Sequence, residues 1–150
     1  MTNFDQIKNE RKDDKILFVE RERFVKENYP QKKSNYKMDE LINSGLEGMD
    51  VIEKRNKDNE IEGMISYVIN KDEKGMQYLS IGIMLTKKES QGGGVMKNLI
   101  LELKNIATKN NCEYITAIAD TEEGEEFLLK EGFSEELDEV NGRDYLRLEL

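Results

Sequence analysis

The 150-residue chain contains no histidine. That absence removes Ser-His-Asp and Cys-His catalysis and leaves zinc without its commonest nitrogen ligand. Cys112 is the only cysteine, so no internal disulfide can form and a structural zinc site is disfavoured; the expectation is a protein without metal. A general base, if there is one, must be a carboxylate, a tyrosine, a lysine or a relayed water. No apolar run approaches the ~20 residues of a membrane span, and residues 1–11 are polar, without the apolar region of a signal peptide. These absences predict a cytoplasmic protein with no membrane partner. No repeat, low-complexity block or Pro/Gly/Ser-rich linker divides the chain, and its length fits one domain, 1–150, with a sizeable core.

What is present is charge. Charged residues make up 37 % of the chain, as do apolar ones, and the formal net charge is −9. Asp120–Glu139 holds ten of the 32 acidic residues and one of the 23 basic ones, leaving 22 of each elsewhere. The acidity therefore belongs to one segment. Nucleic acid is disfavoured as a partner, because phosphate binding needs a basic surface. The segment reads as a solvated helix face and loop, or as a rim that attracts a cationic substrate.

Periodicity orders the elements. Phe4–Glu10 reads as a short strand. Asp13 or Asp14 caps a helix to about Asn28, with Ile16, Leu17, Val19, Phe24 and Val25 as its buried stripe, stopped by Tyr29-Pro30. Met38–Asn43 forms a short helix ending near Gly45. Asp50–Lys54, Ile61–Asn70 and Met76–Thr86 form a meander with turns at Lys57-Asp58-Asn59 and Lys71–Gly75. From Gly93 to Lys109, Val95, Met96, Leu99, Ile100, Leu103, Ile106 and Ala107 recur every three or four residues on one helical face, and Asn110-Asn111 ends the helix. Tyr114–Ala119 is a strand that this helix lets run parallel to the third meander strand. A short helix over Glu122–Glu131 ends at Gly132-Phe133. Strands near Phe133–Leu137 and Tyr145–Leu150 close the chain.

The densest signal is Ser90-Gln91-Gly92-Gly93-Gly94-Val95-Met96-Lys97, a glycine turn between a strand and a helix. Such a turn offers orphan backbone N–H groups and the positive end of the helix dipole to a phosphate. The Walker spacing fails, because Lys97 follows the glycines by two residues and no Ser/Thr comes next. The dinucleotide fingerprint fails, because the turn follows a meander. Gln91-x-x-Gly94 does resemble the pyrophosphate turn, Gln/Arg-x-x-Gly-x-Gly/Ala, of the GNAT (GCN5-related) N-acetyltransferase superfamily. Tyr78–Thr86 resembles the strand before that turn. Glu60–Ile65, with Gly63, is similar to the family's middle meander strand, and Phe127–Phe133 to its helix ending in Gly-Phe. The element order agrees from about residue 12 onward.

The resemblance implies an α+β, three-layer fold, in which a mixed, mostly antiparallel sheet with a central splayed parallel strand pair is flanked by helices. It implies acetyl-CoA or another acyl-CoA as acyl donor, with backbone N–H groups of Gly92, Gly93, Gly94, Val95, Met96 and Lys97 on the pyrophosphate and Gln91 in the same turn. A bulge in the strand would free backbone groups of Met84, Leu85 and Thr86 for the pantetheine arm. It also implies direct attack of a primary amine on the thioester in a ternary complex. A lysine-like amine of pKa ~10.4 sits about 3.4 units above pH 7, roughly 4.6 kcal/mol, so proton acceptance is the difficulty.

Here the chain departs from the family. Leu128 stands where many members place a tyrosine that protonates the thiolate, and Ser80 where some place a basic glutamate. Met96 replaces Gly/Ala, Lys88 a common proline, Thr121 an asparagine and Gly124 an alanine. Tyr78 and Asp120, in and at the end of the two splayed strands, are the remaining catalytic candidates; a core residue and a helix cap are the plain readings of each. The expected enzyme is an N-acyltransferase acting on a small or cationic amine, as monomer or homodimer. The alternatives are a catalytically weak acyl-CoA-binding module and an acidic interaction domain with no small ligand.

Overall fold

The computed structural model describes residues 4–30, 37–138 and 142–150. β1 (Asp50–Arg55), β2 (Ile61–Lys71) and β3 (Gln77–Thr86) form the expected antiparallel meander. Side chains that mimic a backbone acceptor shape both of its turns. Asn56 Oδ1 accepts from the Asp58 and Glu60 N–H groups, and Asp72 Oδ1 from those of Lys74 and Met76. Asn59 and Gly75 take the positive φ that each turn needs, +62° and +81°.

α3 (Val95–Lys109) then crosses over and β4 (Tyr114–Ala117) returns parallel to β3. α4 (Glu122–Lys130) is capped by Thr121, whose hydroxyl accepts from Gly124 N at 3.1 Å. It ends with Phe133 N donating to Leu128 O and Gly132 at φ +102°, the left-handed helix stop. β5 (Ser134–Asp138) and β6 (Arg143–Glu149) form the last hairpin. The sheet has six strands in the order β1-β2-β3-β4-β6-β5, and β3–β4 is its parallel pair.

Two cores make three layers. α1 (Phe4–Asn28) and α2 (Met38–Gly45) bury Phe24, Val25, Leu41 and Ile42 against Met64, Ile83 and Leu85 on one face. α3 and α4 bury Leu99, Ile100, Leu103 and Leu128 against Ile65, Leu79 and Ile115 on the other.

The N-terminal expectations need correction. Phe4–Glu10 is helical, part of the 25-residue α1, not a strand. Gln6, Lys8 and Glu10 favour helix, and nothing before Tyr29-Pro30 breaks it. Ile16 and Val19 are exposed, at 59 % and 62 %, because the inward face is set by Phe18, Arg21, Val25 and Asn28, three or four residues apart. That face is polar in part: Arg21 Nε pairs with Glu53 at 3.2 Å, and Glu20 beside it holds Arg55 at 2.6 Å.

Candidate functional site

The site begins with a fault in β3. Ile65 pairs with Met84 but Tyr67 with Ile81, so Ser66 faces two residues, Gly82 and Ile83. The extra residue switches the alternation of the strand. Leu79 and Ile81 point into the α3/α4 core, Ile83 and Leu85 into the α1/α2 core. Ser66, fully buried, holds the bulge together. Its Oγ accepts from Ile83 N at 2.7 Å and donates to the Gly45 carbonyl. A Cβ on Gly82 would lie 2.6 Å from that Oγ and 2.7 Å from Met49 Cε, so only glycine fits here.

The bulge coincides with the divergence of the parallel pair. β3 and β4 are in register for three pairs, Tyr78↔Tyr114, Leu79↔Ile115 and Ser80↔Thr116. β4 stops at Ala117, two residues short of the expected Ala119, while β3 runs on to Thr86. Met84, Leu85 and Thr86 pair with β2 along one edge and line a cleft of about 550 Å³ along the other.

The glycine turn stands at the mouth of that cleft, after a single 3₁₀ turn at Lys88–Ser90. Gly92 and Gly94 have φ of +87° and +80°, with open space where a Cβ would project. Gly94 is the N-cap of α3, and no side chain caps the first turn. The N–H groups of that turn, among them Val95, Met96 and Lys97, have no acceptor within the helix, and no acidic residue sits there to repel an anion. Gly93 N is engaged with Ser90 O at 3.2 Å. Val95 is buried and Met96 half-buried against the core, while Gln91 and Lys97 are exposed. The first turn seats directly on β2, because a Cβ on Gly63 would meet Val95 Cγ1 at 2.6 Å.

Adjoining the cleft lies a trough of about 1140 Å³. Its wall is a stack in which Tyr78 and Tyr114 lie 5.1 Å apart and parallel within 2°, with Arg147 Cζ 3.7 Å above Tyr114. Tyr114 donates to Asp72 Oδ2 at 2.7 Å. Burial, then that bond, raises the Tyr114 phenol; the same bond holds the Asp72 carboxyl below its ordinary range. Tyr78 thus lies in the trough and not in the cleft. The two cavities share Leu41, Ile81, Gly82, Ala117, Ile118 and Asp120, so they adjoin where the strands part.

Asp120 accepts a 2.6 Å hydrogen bond from Tyr29 Oη. Beside it, buried Asn28 donates to Phe24 O at 2.9 Å and accepts from Lys88 N at 3.2 Å. The end of α1 therefore touches both lips of the cleft. Sequence reasoning missed Tyr29, Asn28 and Ser66. Tyr29-Pro30 signals only a helix stop, and nothing local marks Ser66. Leu128, 2 % exposed, is a core residue that borders the cleft. Of the acidic segment, Glu123 lines the cleft, Asp120 both cavities and Asp138 the trough, while Glu139 lies outside the described residues. Glu125 shares a hydrogen bond with Glu135, which raises its carboxyl. Among the described residues no group of three or more His, Cys, Asp or Glu is placed to hold a metal ion, and no helix is long and apolar enough to cross a membrane.

No protein-family model matches the sequence, and no curated protein does. Solved structures do match. A GCN5-related glucosamine N-acetyltransferase region of a fungal multi-domain β-N-acetylglucosaminidase is similar over 81 % of this chain, at 14 % identity and a TM-score of 0.67. The match spans 16 % of that fungal protein's length. A GNAT-family acetyltransferase from Desulfovibrio desulfuricans is similar over 89 % of this chain and 90 % of its own, at 21 % identity and a TM-score of 0.60. The AtaT toxin, bound to the C-terminus of the antitoxin AtaR and acetyl-CoA, is similar over 62 % and 63 %, at 16 % identity and a TM-score of 0.53. At these identities the likeness concerns architecture, and it agrees with the bulged, splayed sheet: the chain has the fold of the GNAT superfamily of acetyltransferases.

Proposed function

We propose that the chain transfers an acyl group, acetyl in the simplest case, from a CoA thioester to a primary amine by direct attack in a ternary complex. The observation that carries this reading is the junction of two cavities where β3 and β4 part. The cleft and the trough adjoin at Gly82 and Asp120, so a ligand in each brings its end to the other there. The residues suit the donor. Gly92 and Gly94 hold a left-handed backbone without a Cβ, and the N–H groups of Val95, Met96 and Lys97, which have no acceptor within the helix, would serve the pyrophosphate. The unpaired edge of Met84, Leu85 and Thr86 offers strand-like hydrogen bonds to the pantetheine amides. AtaT, of the same fold, is bound to acetyl-CoA.

The acceptor is read as a small or cationic amine, since Asp72, Glu73, Asp120, Asp138 and Asp144 line the trough against Lys71, Lys74 and Arg147. Titration calorimetry with acetyl-CoA, followed by thiol release over a panel of primary amines, tests the whole reading. Binding with release on at least one amine is the expected result, and no binding of acetyl-CoA refutes it. A second reading, a CoA-binding module with little catalysis, is favoured by Leu128, whose buried alkyl side chain has no proton to give. Tight binding without release on any amine would select it.

A further inference from the structure

The geometry points to Tyr29 and Asp120 as the proton-transfer couple of the acyl transfer. This rests on the acyltransferase reading above. Where two ligands meet, the polar groups at the meeting point are the ones placed to move protons between them. Tyr29 lines the cleft, Asp120 lines both cavities, and their side chains are joined at 2.6 Å. Leu41, Ile81, Gly82, Ala117 and Ile118 line the same junction and carry no titratable side chain. Ser66, the nearby buried hydroxyl, is committed on both sides to the bulge.

The placement assigns the roles. An amine entering by the trough reaches Asp120 first. As the nitrogen bonds to the thioester carbonyl carbon, its remaining protons become acidic enough for a carboxylate to accept one. The C–S bond breaks and the sulfur takes a proton from the Tyr29 hydroxyl. Tyr29 regains it from the protonated Asp120 through the existing hydrogen bond. An acceptor that arrives as an ammonium first gives one proton to water; from the free amine onward, one proton leaves nitrogen, one reaches sulfur and the couple ends as it began, so the transfer itself needs no further acid, base or oxidant. The chain thus supplies, from the end of α1, a hydroxyl that Leu128 on α4 does not provide.

The test uses the full chain, acetyl-CoA and the best acceptor among ethylamine, putrescine and glucosamine. Asp120→Asn keeps the shape and one acceptor oxygen; Tyr29→Phe keeps the ring. Each should lower kcat by ~100-fold, the usual scale for a lost acid or base. The Kd for acetyl-CoA and the KM for the amine should stay within about twofold, the signature of an interaction made in the transition state. The double variant should be no slower than Asp120→Asn alone, because residues that act as a unit are not additive. Either variant with kcat within about threefold of wild type, or losses confined to binding, overturns the couple while the acyltransferase reading stands. A wild-type chain that binds no acetyl-CoA overturns both. Because the two variants perturb packing differently, whichever remains folded by circular dichroism decides the matter.

Discussion

At the residue scale, single side chains hold unusual backbone in place, and their loss should be measurable. Ser66→Ala would leave the Ile83 N–H and the Gly45 carbonyl without partners in a site that water does not reach. An unsatisfied buried group costs about 1–3 kcal/mol, so the midpoint of guanidinium unfolding should drop by the equivalent of ~2–3 kcal/mol. Asp72 reports through pH instead. Its carboxyl is held below the ordinary 3.8 first by the Tyr114 hydroxyl. Its contribution is therefore present above that value and lost as pH falls through the lowered folded value. Tyr114 is raised in the fold, so its contribution is present below its ordinary 10 and lost as pH rises beyond that. Urea unfolding of Asp72→Asn across a pH series should show a deficit at neutrality that shrinks toward wild type at the acid end. A deficit that does not change with pH would show that the carboxylate is not its source.

At the element scale, α3 is the part that aims the glycine turn. The sequence pattern already contained it: the buried residues Val95, Leu99, Ile100, Leu103 and Ala107 are five of the seven predicted for its apolar face. The meander turns were legible for the same reason, because Asn56, Asn59, Asp72 and Gly75 do their work within a few residues. The contact of the first turn of α3 with β2 was not legible, since it joins residues some thirty positions apart. Gly63→Ala would drive a Cβ against Val95 Cγ1 at 2.6 Å and Leu99 Cδ1 at 3.2 Å. Overpacking of this kind costs about 1–3 kcal/mol. The variant should melt earlier, and it should bind acetyl-CoA more weakly than its stability loss alone explains, because the anion-facing turn moves with the helix. The Phe4–Glu10 strand failed at this scale: a short window could not reveal that a 25-residue helix passes through it.

At the scale of the whole molecule, charge and the adjoining cavities matter together. The net charge of −9 and the carboxylates of the trough should draw in cations and repel anions. Raising ionic strength from ~0.01 to ~0.15 M shortens the screening length from roughly 30 to 8 Å. The apparent KM for putrescine should then rise several-fold while that for a neutral-tailed amine such as ethylamine changes less. Equal changes for both would remove steering as an account of the acidity.

The order of elements, their amphipathic faces and the glycine turn were readable along the chain because each depends on neighbours a turn or a few residues away. The bulge, the parting of β3 from β4 and the pairing of Tyr29 with Asp120 were not. These join residues up to 91 positions apart, and they exist because the bulge at Gly82–Ile83 redirects β3 and the end of α1 lands where the strands part. The glycine turn proposed to seat an acyl donor's phosphates is thus written locally in Gln91–Lys97. Which groups stand where two ligands would meet is a property of the folded sheet, since no local pattern brings a helix-stop tyrosine to a strand-end aspartate.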